Sequence, residues 1–280
     1  MPLYQSPAVV LRGMRLGDSD RLVTFFTLRH GKLKAVAKGA VKPKSRFGGR
    51  LEPFNLVNMI AFGKEKAELL SLNSCDITEM FPALCAKLDT MARAWSCAEF
   101  VDHMQRDRDE NSEGFGLLVS TWRALGRETD SRRQSLLLRI FELKYLESAG
   151  LRPVLDKCAG CGGKISSPEA GFSSRRGGAV CRRCFQEDPS ALRISAGALM
   201  LMKKGMELPI EKAGRLTAGQ GGVEEIEKAV ADFIRAHVRR EMRTEKFLRL
   251  TSLSAAFPGK THPGDAHKDD DQEQGRGRAD

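Results

Sequence analysis

The chain has 280 residues, is 41% hydrophobic, and carries 46 Lys and Arg against 36 Asp and Glu, a formal net charge of +10. That length and apolar content exclude a wholly disordered chain and leave room for a sizeable core, in one large domain or two to three small ones. The opening MPLYQSPAVVLRG has no apolar stretch of signal-peptide length, and no run approaches the roughly 20 apolar residues of a membrane helix. The expectation is therefore a cytoplasmic protein with no membrane partner and reduced thiols, its basic balance pointing to polyanions, nucleic acid first.

Residues 1–80 contain five short runs rich in Val, Leu, Ile, Phe and Thr: AVVLRGM, RLVTFFTL, KLKAVAKG, FNLVNMIAF and AELLSLNSC. The turn signals GDSD, RHG, KPKSRFGG and FGKEK separate them. Five strands without a helical period predict a small barrel over 1–80, of which the OB-fold is the five-stranded form that most often carries nucleic acid. Pattern alone leaves an SH3-like barrel open. Asp18 and Asp20 in GDSD could suggest a metal-nuclease pair, but flanking strands make the segment a hairpin turn.

From about residue 82 the apolar period becomes helical. Leu88, Met91, Trp95, Ala98 and Val101 share one face, as do Phe115, Leu118, Trp122 and Leu125. A third helix is predicted to run from an N-cap at Ser131 to a C-cap at Gly150, with Leu136, Ile140, Leu143 and Leu146 inward. Later helices start at Ser195 and carry Val223, Ile226, Val230, Phe233 and His237 at three- and four-residue steps. The overall class is α+β: a barrel over 1–80, a helical domain over 81–152 and 192–257, and a cysteine module over 153–191 inserted in it. The stretch 258–280 has Ala as its only aliphatic residue and is expected to be a disordered tail.

The inserted module carries the most specific motif. Cys158, Cys161, Cys181 and Cys184 follow the pattern C-x2-C-x19-C-x2-C, the spacing of a tetrahedral zinc site. Gly160, Gly162 and Gly163 lie in or just after the first knuckle, and the residues between the pairs suffice for a small hairpin. No thioredoxin-like βαβ setting surrounds the pairs, and four thiolates leave no open coordination position. One structural Zn2+ is therefore expected rather than a redox or catalytic centre. Cys75, Cys85 and Cys97 read as small buried hydrophobes. Around the module, Lys157, Lys164, Arg175, Arg176, Arg182 and Arg183 either touch phosphates or form a solvated surface offsetting the thiolate charge.

The segment Arg29–Arg50 holds Arg29, Lys32, Lys34, Lys38, Lys42, Lys44, Arg46 and Arg50 and no acid. Lys32, Lys34 and Lys38 share strand parity, so they are expected on one face, with Leu33, Ala35 and Ala37 toward the core. GAVKPKSRFGGR reads as a mobile loop able to follow a phosphate backbone. Phe47 either stacks on a base or plugs the barrel core, the second being preferred. These eight cations form the candidate nucleic-acid-binding surface, with sequence-independent contact to the backbone. No Gly-Lys-Ser/Thr phosphate loop, no His-Glu-x-x-His and no histidine cluster occur, so no enzyme activity is expected.

The stretches GDSDRLVTFFTLRHGK and AKGAVKPKSRFGGRLEPF, followed by helices holding KCAGCGG and AVCRRC, resemble the bacterial RecO family of DNA repair and recombination proteins. The resemblance covers nearly the whole chain apart from the tail. It implies a recombination mediator with an N-terminal OB-fold that binds single- and double-stranded DNA and anneals complementary strands. It also implies work with RecR, recognition of the acidic, apolar C-terminal tail of single-stranded DNA-binding protein, help in loading RecA, and a nucleoid-associated cytoplasmic location. A groove for such a tail would be rimmed by cations such as Arg132, Arg133, Lys203, Lys204, Arg239 or Arg240. The alternative is a non-catalytic, zinc-containing interaction adaptor whose barrel binds protein or RNA.

Overall fold

The structure is a computed structural model and describes residues 2–65, 67–165, 170–217, 219–238, 242–245 and 247–248. The tail expected over 258–280, together with Arg239 and Arg240, lies outside the described residues. The period-2 runs build β1 (Leu3–Leu16), β2 (Asp20–Thr27), β3 (Gly31–Ala37), β4 (Asn55–Phe62) and β5 (Leu70–Met80). They close into a barrel in the order β1-β2-β3-β5-β4, antiparallel except for the β3–β5 seam, where Ala35 meets Leu70. This is the arrangement of an OB-fold. Inward residues such as Val10, Val23, Phe25, Leu33, Val57 and Leu72 fill the barrel.

The helices follow as α1 (Pro82–Cys85), α2 (Leu88–Met104), α3 (Ser112–Arg127) and α4 (Ser131–Ser148). The cysteine module then contributes β6 (Ala170–Ser173), β7 (Gly178–Val180), α5 (Arg182–Gln186) and β8 (Leu192–Ile194), before α6 (Ala196–Glu207), α7 (Ile210–Ala213) and α8 (Gln220–His237). Helix α4 is buried almost all round, as its run LLLRIFELKYL suggests, and α2, α3, α6, α7 and α8 pack against it. Three details differ from the sequence expectation. Asp130, not Ser131, caps α4, because its carboxylate reaches the N–H groups of Arg132 and Arg133 at 2.8 and 3.2 Å. Leu88 is 55% exposed, since it starts α2 before the helix reaches the core. Cys85 ends the short α1 and is exposed, whereas Cys75 and Cys97 are buried.

Barrel and helices share one apolar core. Val9, Leu11 and Phe26 on the barrel's outer face join Phe54, Phe115, Leu118 and Trp122 in it. Phe54 has the left-handed φ of 66°, which costs about 1–2 kcal/mol for a side-chain-bearing residue. In return its ring sits edge-on to Trp95 and Trp122, with centroids 5.0 and 5.4 Å away. Between α2 and α3, residues 105–110 dock on the barrel. Arg108 donates to Tyr4 Oη at 2.8 Å and to the Glu65 carbonyl at 2.7 Å, and its N–H bonds Lys32 O at 2.9 Å. Gly31 makes this approach feasible: its φ is 61°, and a Cβ there would collide with the Asp109 backbone.

Candidate nucleic-acid interface and metal centre

The eight predicted cations divide into two groups. Lys32 and Lys34 do share one face of β3, but that face looks at the helices. Lys32 is only 7% exposed; its Nζ donates to Asp102 O at 2.6 Å and lies 3.4 Å from Asp102 Oδ1 and 3.3 Å from Asp107 Oδ1. Lys34 Nζ reaches Asp107 Oδ2 at 2.7 Å. Burial pushes the Asp107 carboxyl up, but the bond from Lys34 and the charge of Lys32 outweigh it and hold the group below its ordinary value. The expectation that Lys32 and Lys34 are uncompensated therefore fails. The absence of acids between Arg29 and Arg50 is a local property, and the neutralising carboxylates arrive from about 70 residues along the chain, as their sequence separations show.

Lys38, Lys42, Lys44 and Arg46 behave otherwise. All four are exposed and make no ion pair among the described residues. The loop that carries them has defined local structure that its composition does not suggest. Successive tight turns run through it: Ala40 N to Ala37 O, Lys42 N to Gly39 O, Ser45 N to Lys42 O and Gly48 N to Ser45 O. Gly39 turns the chain at φ 68°. Val41 N bonds Ser19 O at 2.9 Å, and the Asp20 carboxylate accepts from Gly39 N at 2.8 Å, which ties the loop to the GDSD hairpin turn. That bond, with one from Ser19, holds the Asp20 carboxyl below its ordinary value, and the nearby charges of Lys38 and Lys42 add to the effect.

Phe47 is the anchor. It is 1% exposed inside the barrel core, with the Arg46 guanidinium 5.0 Å from its ring centroid. The plug role therefore holds, and the base-stacking role does not. Arg50 donates to Arg46 O at 2.6 Å and stands 3.9 Å from Asp76; Arg29 is exposed at the β2–β3 turn. The far end of the loop borders a cavity of about 500 Å³ lined by Gly49, Arg50, Asp76, Ile77 and Met80.

In the metal module, β6 and β7 form the hairpin expected between the cysteine pairs, with β8 added on the other edge of β6. The four Sγ atoms all lie within 4.8 Å of one another, and Cys161 and Cys181 are 3.8 Å apart. A tetrahedral zinc with about 2.3 Å bonds to sulfur needs sulfurs roughly 3.8 Å apart, so the thiols fit the ion. Backbone donors prepare the site, with Cys181 N 3.3 Å from Cys158 Sγ. Burial raises the Cys158 thiol, yet the N–H groups of Cys181, Cys161 and Gly160 hold it below its ordinary value, while burial and hydrogen bonds with the other three sulfurs push the Cys184 thiol up, so the four sulfurs share protons as one group. A Cβ at Gly160 would meet the Arg176 guanidinium and the Cys184 sulfur. The module's arginines have partners: Arg175 reaches Asp188 at 3.5 Å, Arg176 reaches Glu187 at 3.5 Å, and Arg183 reaches Glu187 at 3.1 Å. These pairs favour the solvated, charge-offsetting reading of that surface over a phosphate site. Of the cations considered for an acidic peptide, Lys203 pairs with Asp156 at 2.5 Å and Arg133 lies 3.9 Å from Glu128. No helix among the described residues is long and apolar enough to cross a membrane.

A five-stranded barrel of OB order, fused through a common core to helices that carry a module of four clustered cysteines, defines the class of protein. Family models described as Recombination protein O N terminal and Recombination protein O C terminal match residues 1–81 and 85–246. The DNA repair protein RecO of Anaeromyxobacter dehalogenans (strain 2CP-C) is 35% identical over 240 residues, 86% of this chain and 93% of the relative. That of Symbiobacterium thermophilum is 34% identical over 250 residues, covering 89% and 97%, and that of Pelotomaculum thermopropionicum is 30% identical over 260 residues, covering 92% and 98%. The chain belongs to the RecO family.

Proposed function

We propose that this protein acts in recombinational DNA repair by holding DNA through its sugar-phosphate backbone and bringing complementary strands together. The observation that carries this reading is the exposed set Lys38, Lys42, Lys44 and Arg46, free of ion pairs among the described residues and mounted on an ordered loop. Arg29 and Arg50 extend the set at its margins. A phosphate chain laid on such a loop releases counterions, which supplies binding free energy without reading bases. It also lowers the repulsion felt by an incoming complementary strand. Lys32 and Lys34 take no direct part, since their charges are already met by Asp102 and Asp107.

The four thiolates of Cys158, Cys161, Cys181 and Cys184 would hold one Zn2+, which supplies a structural crosslink and no catalysis. The module's short strands could not close on their own core, and the metal makes up for that. The protein serves as a non-catalytic mediator. In keeping with its family, RecR, the C-terminal tail of single-stranded DNA-binding protein and RecA are its partners in the pathway. The test is annealing of complementary oligonucleotides at low and high salt. Annealing above the spontaneous rate that fades as salt rises, and that is lost when Lys38, Lys42, Lys44 and Arg46 are all replaced by Ala, is the expected result. No annealing by the wild-type protein at any salt, with a protein ligand bound instead at the barrel, would make the protein an interaction adaptor.

A further inference from the structure

The four clustered cysteines are unequally placed. Cys158 and Cys184 are 1% and 3% exposed and pack with Val180 in a small core of their own, whereas Cys161 is exposed and Cys181 half-buried. The solvent side of the cluster is thus one sulfur from each knuckle, and those two sulfurs lie 3.8 Å apart. Cations surround the opening. Arg182 and Arg183 follow Cys181 directly, and a Cβ at Gly160 would meet the Arg176 guanidinium. An exposed sulfur in electropositive surroundings, with a second sulfur in reach, is the setting in which a thiolate reacts with an oxidant and is then resolved. Cys85 is also exposed, but it ends α1 and is no member of this cluster. The sheet of the module is held independently of the sulfurs. Phe172 of β6 stands edge-on to Phe233 of α8 with centroids 5.9 Å apart, and Ser174 donates to Asp232 at 2.6 Å. Val154 pairs with Gly177 and Ala179 through backbone bonds of 3.0 and 2.8 Å.

We propose that Cys161 and Cys181 are a site of reversible oxidation by hydrogen peroxide, forming a disulfide that joins the two knuckles and opens the metal clasp. The inference rests on the zinc reading and adds a chemical input to it. The Cys161 sulfur attacks one peroxide oxygen; the O–O bond breaks, hydroxide departs, and Cys161 carries S–OH. The Cys181 sulfur then attacks the Cys161 sulfur, and a second hydroxide departs as the S–O bond breaks and the S–S bond forms. Two protons from solvent turn the hydroxides into water. Two thiolates, one peroxide and two protons thus give one disulfide and two waters, and the sulfurs lose the two electrons that the peroxide gains. Cys158 and Cys184 remain, and two sulfurs do not close a four-coordinate shell. The first knuckle and α5 exchange a four-point clasp for a single link and loosen, while the sheet stays anchored on α8. A dithiol reductant restores both thiols by exchange through a mixed disulfide.

The test uses the full, zinc-loaded chain and hydrogen peroxide titrated upward from equimolar. A colorimetric indicator follows zinc release; the remaining thiols are then alkylated and the protein is digested with trypsin without reduction. Cleavage after Lys157, Lys164, Arg176, Arg182 and Arg183 leaves Cys158 and Cys161 on one peptide and puts Cys181 and Cys184 on two others. The expected product joins the peptides 158–164 and 177–182 through Cys161 and Cys181. At the first equivalent of peroxide, alkylation of Cys158 and Cys184 should exceed that of Cys161 and Cys181 by about fivefold or more. Disulfide and released zinc should rise together, one for one, and dithiothreitol with added zinc should reverse both. Cys85→Ser should leave the release unchanged. A disulfide within either Cys-x-x-Cys pair overturns the inference. So does zinc retained at a peroxide dose that oxidises Cys85, or a release that requires Cys85. A protein that carries no zinc as purified, with its four thiols reduced, refutes the zinc reading itself; a zinc-loaded protein that gives any of those three results refutes only the present inference.

Discussion

Replacing Lys32 by Met separates structural charge from functional charge. The substitution keeps the length and apolar body of the stem and removes the ammonium, which donates to Asp102 O at 2.6 Å and lies near two carboxylates. A hydrogen bond from a charged donor is worth about 1.5–3 kcal/mol. Breaking a buried ion pair can cost 3–5 kcal/mol when the partner is left alone, which does not happen here. Asp102 keeps Arg12 at 2.8 Å and Asp107 keeps Lys34 at 2.7 Å. The expected loss is therefore about 2–3 kcal/mol, or roughly 4–10 °C in Tm for a chain of this size. Urea unfolding followed by fluorescence of Trp95 and Trp122, which flank Phe54 at the barrel–helix junction, reads this directly. DNA titrations over a range of salt should show an unaltered slope. Unchanged stability together with a shallower slope would refute the assignment and return Lys32 to the DNA.

Three further outcomes follow from the same geometry. Metal analysis should find one zinc per chain, and a strong chelator should release it and loosen the module while leaving the barrel's DNA affinity within about twofold. Phe47→Ala empties the loop's anchor from the barrel and should cost about 3–5 kcal/mol, with DNA affinity falling as the loop loosens even though no charge is removed. Glu142 lies in the core against Arg139 at 2.8 Å; burial, with Glu245 and Glu227 near, pushes it up to about 7 in spite of that cation. The folded state thus holds a proton on Glu142 that the unfolded chain releases above about 4.5, so stability should fall as pH rises between those values, and Glu142→Gln should flatten that dependence in denaturation measured against pH.

Local patterns in the sequence carried the barrel and the helices. The inward parity of Leu33, Ala35 and Ala37 survives in the barrel core, and Phe115, Leu118, Trp122, Ile140 and Phe233 are all buried at the spacing that a helix imposes. The clustering of the four cysteines was legible because two Cys-x-x-Cys pairs at that spacing have few other uses. What a linear reading missed are partners distant in sequence. Lys32 and Lys34 looked free because no acid lies near them in the chain, yet Asp102 and Asp107 close over them from the end of α2 and the segment after it. The loop from Gly39 to Arg50 reads as irregular from its Gly, Pro and Lys content, yet Phe47 packs inside the barrel and successive turns hydrogen-bond much of its backbone. Which of the four clustered cysteines face solvent depends on the folded knuckles, which spacing alone does not supply.

The most direct measurement is the salt dependence of DNA affinity for wild type and for the variant with Lys38, Lys42, Lys44 and Arg46 all changed to Ala. Each phosphate contact contributes about 0.7 to the slope of log affinity against log salt for a single strand, so the variant's slope should be shallower by up to about 3. A variant slope equal to that of wild type, in a protein that remains folded, would contradict the account.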